Sequence, residues 1–268
     1  MSSDPTGGAV EDSAAHPAGA ETHTAGGGAH LVVPARFAGP PGIGNGGWVA
    51  GRLSSFVVDA SGGDAVTVTL REPTPLDVAL DVRTEVDGRT TLGFGGAVLA
   101  EAAPGLLTRD PVDPVDLATA QAAMAGYAGQ GEHPYTGCFV CGVDRPVPDG
   151  MGLRPGPVPG RPGVVASEWV PGGSTSSAED DVPAHLVWAA LDCTGGWSGD
   201  LLGRSMLLGR ITAAVDALPE PGDRCVVVGR HEGDDGRKTL TTSTAYDGDG
   251  RVLGRAEAVW ISLQTPLG

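Results

Sequence analysis

Clusters of positive charge are missing from this sequence. Its 268 residues include 33 acidic and only 17 basic ones, which gives a formal net charge of −16. Nucleic acids and anionic membranes attract proteins through clusters of lysine and arginine. The charge balance therefore argues against both as partners and is typical of a soluble acidic protein.

Long apolar runs are missing as well. No stretch approaches the roughly 20 apolar residues that span a bilayer. The N-terminus has no basic region followed by an apolar run, so it does not resemble a secretory signal. We therefore expect a cytoplasmic protein whose four cysteines are reduced.

Aromatic residues are scarce, at 4%, whereas glycine (44 residues) and proline (22 residues) are abundant. This composition favours many turns and short strands. Residues 1–30 contain almost nothing large and apolar. Such a segment cannot bury enough surface to offset the entropy of ordering, so we predict a disordered tail there.

The rest of the chain alternates helices with runs of strands. One helix is predicted from Gly46 to about Val58, a small alanine-rich one from Val115 to Tyr127, and a third from Pro183 to Trp197. The polar segment from Ser174 to Asp181 is predicted to be a loop. Strands are predicted at residues 65–70, 78–86, 90–102, 164–170, 207–217, 224–232, 238–246 and 252–263.

The two halves of the chain are alike. Asp87-Gly88-Arg89 and Asp235-Gly236-Arg237 are turn signals 148 residues apart, and Leu70 and Leu218 are separated by the same interval. A helix followed by antiparallel strands, repeated twice, is an α+β pattern. We predict two antiparallel sheets, each wrapped around a central helix, which can join edge to edge and so remove exposed edges.

Two segments resemble hotdog-fold thioesterases. Phe37-Ala38-Gly39-Pro40-Pro41, followed by Gly46-Gly47, is similar to the start of double-hotdog acyl-CoA thioesterases. Cys138-Phe139-Val140-Cys141-Gly142, followed by Gly152-Leu153, resembles the entry segment of PaaI-type hotdog thioesterases. The resemblance implies a double hotdog with a first repeat at 31–104, a linker at 105–137 and a second repeat at 138–268.

The two main helices begin with complementary residues. PaaI-type proteins have His-Gly-Gly at this point and an acid seven residues after the second glycine. Here Asn45 replaces the histidine before Gly46-Gly47, and Ser54 stands where the acid would be. In the second half Asp192 matches the acid, but His185 stands where the second glycine would be. The resemblance therefore implies one composite site that draws on both halves.

The chemistry of thioester hydrolysis assigns roles to these residues. Negative charge develops on the carbonyl oxygen, and the free N–H groups at a helix start can stabilise it. Gly46, Gly47 and Trp48 are the candidates, with Asn45 as a helix cap or as a group that orients water. Asp192 is the candidate general base or nucleophile. Alternatively, the glycines only permit tight packing, and Asp192 caps another segment or faces solvent.

Further residues near the helices are weaker candidates. Thr194 could hold a water or the Asp192 carboxylate, although such a threonine more often bonds to its own helix. His185, Trp48 and Trp188 could bind substrate, although each is more often a structural residue. Gln264 matches a glutamine near the chain end of double-hotdog thioesterases in position only.

The cysteines are not predicted to bind a metal. Zinc usually takes four Cys or His ligands, and a second CxxC pair is missing. Cys193 and Cys225 are distant from Cys138 and Cys141 in sequence, and we interpret them as isolated. A structural turn is the favoured role for Cys138 to Cys141.

The sequence thus favours an acyl-thioester hydrolase that acts on acyl-CoA or an acyl carrier protein, without a cofactor other than the coenzyme A of the substrate. The alternative is a hotdog protein that binds acyl groups or partners without catalysis. A hydratase is disfavoured, because that class needs an Asp-x-Asn-Pro-x-His segment, which is missing. A homodimer is plausible for this kind of fold.

Overall fold

The computed structural model describes residues 29–57, 65–145, 147–172 and 182–264. The predicted disordered tail therefore lies outside the described residues, except for Ala29 and His30, which begin the first strand. The predicted loop from Ser174 to Asp181 also lies outside them.

The described chain contains four α-helices and eleven strands. The helices are α1 (Gly46–Ser54), α2 (Leu117–Met124), α3 (Ala184–Ser198) and α4 (Leu201–Arg204). The strands of the first half are β1 (Ala29–Val32), β2 (Ala65–Leu70), β3 (Ala79–Thr84), β4 (Thr90–Phe94) and β5 (Ala97–Gly105). Those of the second half are β6 (Gly156–Pro157), β7 (Val164–Trp169), β8 (Met206–Val215), β9 (Cys225–Asp235), β10 (Lys238–Tyr246) and β11 (Val252–Ser262).

All eleven strands form one sheet, in the order β1-β3-β4-β5-β2-β8-β11-β10-β9-β7-β6, and the paired strands are antiparallel. The two halves of the sheet meet at the β2–β8 pair, where the hydroxyls of Thr67 and Thr212 lie 2.8 Å apart. The fold is α+β, as predicted. The two predicted sheets are joined edge to edge into one continuous sheet, because the edge strands β2 and β8 pair with each other.

The two Asp-Gly-Arg segments occupy equivalent turns. Gly88 links β3 to β4 and Gly236 links β9 to β10, each with a positive φ (82° and 58°) that favours glycine. The predicted strand at 90–102 is wrong, because Gly95 and Gly96 both have positive φ (59° and 86°) and turn the chain between β4 and β5.

The core lies between this sheet and the helices. Twelve of the 15 residues of α3 are buried, which makes it the central helix of the second half. Helix α1 crosses it and ends at Ser54, earlier than predicted. A second, smaller apolar cluster lies under α2, against β7 and β9. Within the described residues, no helix is long and apolar enough to cross a membrane.

Candidate active site

The contact between α1 and α3 depends on two glycines one turn apart. A β-carbon on Gly47 would overlap the Asp192 side chain and lie 2.7 Å from the Trp188 carbonyl oxygen. A β-carbon on Gly51 would lie 2.7 Å from the Cα of His185. These distances are shorter than a van der Waals contact, so only glycine allows this approach. The close crossing places Asp192 against the first turn of α1.

The carboxyl group of Asp192 is buried, and one of its two oxygens accepts a hydrogen bond. Its Oδ2 accepts a hydrogen bond of 2.7 Å from the Gly47 N–H. Its Oδ1 is buried and has no hydrogen-bond partner among the described residues. Desolvation raises the pKa of Asp192 to about 8, although the Gly47 bond acts in the opposite direction. A carboxyl with this pKa exchanges protons near neutral pH.

Asn45 caps α1 and contacts two sulfur atoms. Its Oδ1 accepts a hydrogen bond of 2.9 Å from the Trp48 N–H. Its Nδ2 therefore faces the other way, and it donates to the Sγ of Cys193 at 3.6 Å and of Cys138 at 3.9 Å. The cap that the sequence predicted for Asn45 is confirmed.

Gly46 offers the free amide of this first turn. The N–H of Gly47 is bonded to Asp192 and that of Trp48 to Asn45. The Gly46 N–H has no acceptor among the described residues. It therefore keeps its capacity to donate to a ligand.

These groups line a cavity of about 250 Å³. Its polar wall contains Asn45, Gly46 and Asp192, together with three cysteines. Most of the remaining wall is apolar, with contributions from Ile43, Leu70, Tyr135, Leu201, Met206, Leu207, Leu208, Trp260, Ile261 and Leu263. Such a cavity suits an apolar group attached to a reactive polar centre.

Three predicted substrate-binding residues do not line this cavity. Trp48 is 1% exposed and stacks on Phe37, with ring centroids 4.6 Å apart. His185 lies edge-on to Trp48, and burial lowers its pKa to about 3. Trp188 is 3% exposed and packs against Gly51. The structure therefore places all three in the packing around α1 and α3, and of the predicted binding residues only Gly46 reaches the cavity.

Two other candidates, Thr194 and Gln264, are not among the residues that line the cavity. Thr194 is fully buried, and its carbonyl oxygen faces Gly229 of β9, on the sheet side of α3. Gln264 is exposed and follows the lining residue Leu263.

The cavity also contains a cluster of thiols that the sequence did not predict. The Sγ atoms of Cys138, Cys141 and Cys193 all lie within 4.8 Å of one another, and all three residues are buried and line the cavity. Hydrogen bonds from the thiols of Cys141 and Cys193 hold the pKa of Cys138 well below its usual value. The interpretation of Cys193 as isolated is wrong. The one feature of the sequence that could have pointed to Cys193 is its position next to Asp192.

Three solved structures share this fold. A candidate thioesterase of Novosphingobium aromaticivorans is 15% identical, with a TM-score of 0.59, and the match covers 88% of this chain and 95% of that one. A candidate thioesterase II of Thermobifida fusca is 14% identical, with a TM-score of 0.60 and coverage of 91% and 96%. The tesB protein of Mycobacterium avium subsp. paratuberculosis is 14% identical, with a TM-score of 0.56 and coverage of 88% and 92%.

At these identities the likeness concerns the fold alone, and it supports the hotdog-like fold that the sequence resemblance implies. No protein-family model matches the chain, and no curated protein matches it.

Proposed function

We propose that this chain is an acyl-thioester hydrolase built as a double hotdog, with one composite site per chain. The first repeat, at 31–104, supplies Asn45 and Gly46 from α1, and the second, at 138–268, supplies Asp192 from α3. Residues 105–137 link the repeats. The observation that carries the proposal is the unpartnered Oδ1 of Asp192, buried in a cavity beside the free N–H of Gly46.

The geometry supports hydrolysis by an activated water. Asp192 Oδ1 accepts a hydrogen bond from a water and takes its proton as the water oxygen attacks the carbonyl carbon of the thioester. The Gly46 N–H donates to the carbonyl oxygen as it becomes an oxyanion. Collapse of this intermediate breaks the C–S bond, and the departing thiolate takes the proton back from Asp192. The products are a carboxylic acid and a free thiol.

Gly47 and Asn45 have positioning roles in this scheme. The Gly47 N–H holds Asp192 Oδ2, so that Oδ1 has a defined direction. Asn45 keeps the first turn of α1 intact through its cap on Trp48. The apolar wall accepts the acyl group, which coenzyme A or an acyl carrier protein presents from outside. In this scheme His185, Trp48 and Trp188 take no part in the reaction and pack between α1 and α3, while Thr194 packs against the sheet.

A thiol-release assay with a panel of acyl-CoAs tests the proposal, using the wild-type protein and Asp192→Asn. The asparagine keeps an acceptor for the Gly47 N–H but cannot take a proton. We expect the variant to lose roughly 100-fold or more in kcat, in line with the contribution of a general base. Asp216→Asn is the control, because Asp216 pairs with Arg255 at 3.0 Å and does not line the cavity.

One observation favours the alternative of an acyl-binding protein without catalysis. Two of the three amides in the first turn of α1 are already bonded within the protein, so a single N–H remains for an oxyanion. Tight acyl-CoA binding with no thiol release from any substrate would support this alternative and overturn the hydrolase. The PaaI-type likeness of the Cys138 segment, the cytoplasmic location and the homodimer stay predictions.

A further inference from the structure

We propose that Cys138, Cys141 and Cys193 bind one thiophilic metal ion, with Zn²⁺ as the expected ion. This inference is independent of the proposed hydrolysis. It rests on the separation of the three sulfurs, on the hydrogen-bond donor aimed at them and on the charge of their surroundings.

The sulfur separations fit a shared metal. In a tetrahedral site with Zn–S bonds of about 2.3 Å, two sulfurs lie about 3.8 Å apart. The Sγ atoms of Cys138 and Cys193 are 3.9 Å apart, and all three sulfurs lie within 4.8 Å of one another. A contraction of at most roughly 1 Å between any two of these sulfurs would complete three corners of a tetrahedron.

The three ligands come from two rigid segments. Cys138 and Cys141 belong to one tight turn, in which the Gly142 N–H donates to the Cys138 carbonyl oxygen at 2.9 Å. A β-carbon on Gly142 would lie 2.5 Å from that oxygen, so the turn requires glycine. Cys193 is held by the buried helix α3. Both segments position their sulfurs without an ion, which lowers the entropy cost of binding one.

The Asn45 side chain supports thiolates at this position. Because its Oδ1 is bonded to the Trp48 N–H, its Nδ2 must face the sulfurs of Cys193 and Cys138. A neutral thiol is a weak acceptor, whereas a metal-bound thiolate is a good one. The amide therefore acts as an outer partner that orients and stabilises metal ligands.

The described cavity wall holds little positive charge, and the nearby imidazole of His133, whose pKa is lowered by burial, contacts the Cys141 carbonyl oxygen at 3.1 Å. Among the described cavity-lining residues the sole basic one is Arg71, which is exposed and pairs with Glu101 at 2.6 Å. Three metal-bound thiolates in this wall would be largely balanced by the charge of the ion itself. Thiolates select soft ions such as Zn²⁺ over Mg²⁺ or Ca²⁺. All three cysteines line the cavity, which leaves room for water as a fourth ligand.

Titration of the full-length, reduced, chelator-treated protein with Co²⁺ and then Zn²⁺ tests this site. We expect one equivalent of Co²⁺ with thiolate-to-cobalt charge-transfer absorption, displaced by Zn²⁺. Loss of a residue that only hydrogen-bonds to a metal ligand lowers metal affinity by roughly 10- to 100-fold. Cys193→Ser removes a ligand itself, so its Co²⁺ affinity should fall by more than that. Cys225→Ser is the matched control, since Cys225 is buried outside the cluster and should bind as the wild type does.

A second measurement on the wild-type protein avoids dependence on variants that fold poorly. Mass spectrometry after alkylation reports each cysteine separately. Zn²⁺ should slow modification of Cys138, Cys141 and Cys193 together and leave the rate at Cys225 unchanged. No cobalt–thiolate absorption from the reduced wild type, or equal protection of all four cysteines, would overturn the proposal.

Discussion

The carboxylate of Asp192 accepts the N–H of Gly47 at 2.7 Å, across two helices that belong to different halves of the chain. The Gly47 N–H, which the sequence predicted as an oxyanion donor, is therefore already bonded within the protein. This bond also leaves the other carboxylate oxygen without a partner, and it leaves the Gly46 N–H as the amide of this turn that can donate to an oxyanion. The composite site is thus organised by a contact between the protein's own parts.

The role of the Gly46 amide can be tested by removing its hydrogen. Proline is favoured at the first position of a helix, and the extended backbone of Asn45 (φ −59°, ψ 128°) is compatible with a following proline. We expect Gly46→Pro to lower kcat by roughly 100- to 1,000-fold, the usual cost of one oxyanion donor.

Gly46→Ala is the control for this change. Its β-carbon meets Leu208 at 3.1 Å, as part of the proline ring would, but the N–H is kept. Equal kcat values for the two variants in the thiol-release assay would exclude the Gly46 amide as the oxyanion donor.

The close crossing of α1 and α3 predicts a large stability cost for Gly47→Ala. The new methyl group would overlap Asp192 and approach the Trp188 carbonyl, both of which belong to a buried helix. We expect a loss of about 1–3 kcal/mol in the free energy of unfolding, measured by denaturant titration. Gly137→Ala should stay within about 0.5 kcal/mol, because nothing lies near its β-carbon position. Similar free energies of unfolding for both variants would contradict the close contact between α1 and α3.

Because His185 is buried, we expect the free energy of unfolding to depend on pH. The pKa of His185 is about 3 in the folded protein and 6.5 as its ordinary value, so the unfolded chain binds a proton that the folded one does not. This residue therefore contributes its full stability above pH 6.5, and the contribution is lost as the pH falls from 6.5 towards 3. The slope is about 1.4 kcal/mol per pH unit.

Denaturant titrations between pH 6.5 and pH 5 measure this slope where most carboxylates stay ionised. His185→Gln should flatten the dependence, because glutamine does not titrate. A variant that retains the wild-type slope would show that His185 is not the group responsible.

The two ends of the Asn45 amide have different partners, so helix capping and metal affinity can be changed separately. Asn45→Ser keeps a good cap for the Trp48 N–H but removes the donor that faces the sulfurs. We expect Zn²⁺ affinity to fall by roughly 10- to 100-fold in a chelator competition assay. Circular dichroism should show retained helix content. Unchanged affinity would mean that the amide does not act on metal-bound thiolates.

Local signals predicted most of the secondary structure. Strand β2 begins and ends as the alternation at 65–70 predicts, and the Asp-Gly-Arg turns lie between paired strands in both halves. Both patterns reflect interactions between near neighbours in sequence. The turn at Gly95-Gly96 lies inside the predicted strand at 90–102, because alternation alone does not reveal that both residues have positive φ.

The sequence by itself determined the α+β class and the helix start at Gly46, because periodicity and turn residues are properties of short segments. The family resemblance added Asp192 as a candidate. Only the tertiary structure decided which groups meet. The crossing of α1 and α3 bonds Gly47 to Asp192 and removes Trp48, His185 and Trp188 from the cavity. The same packing brings Cys193 to the Cys138 turn across 55 residues. These contacts join remote segments whose approach depends on the shape of the whole core, and no local pattern carries that information.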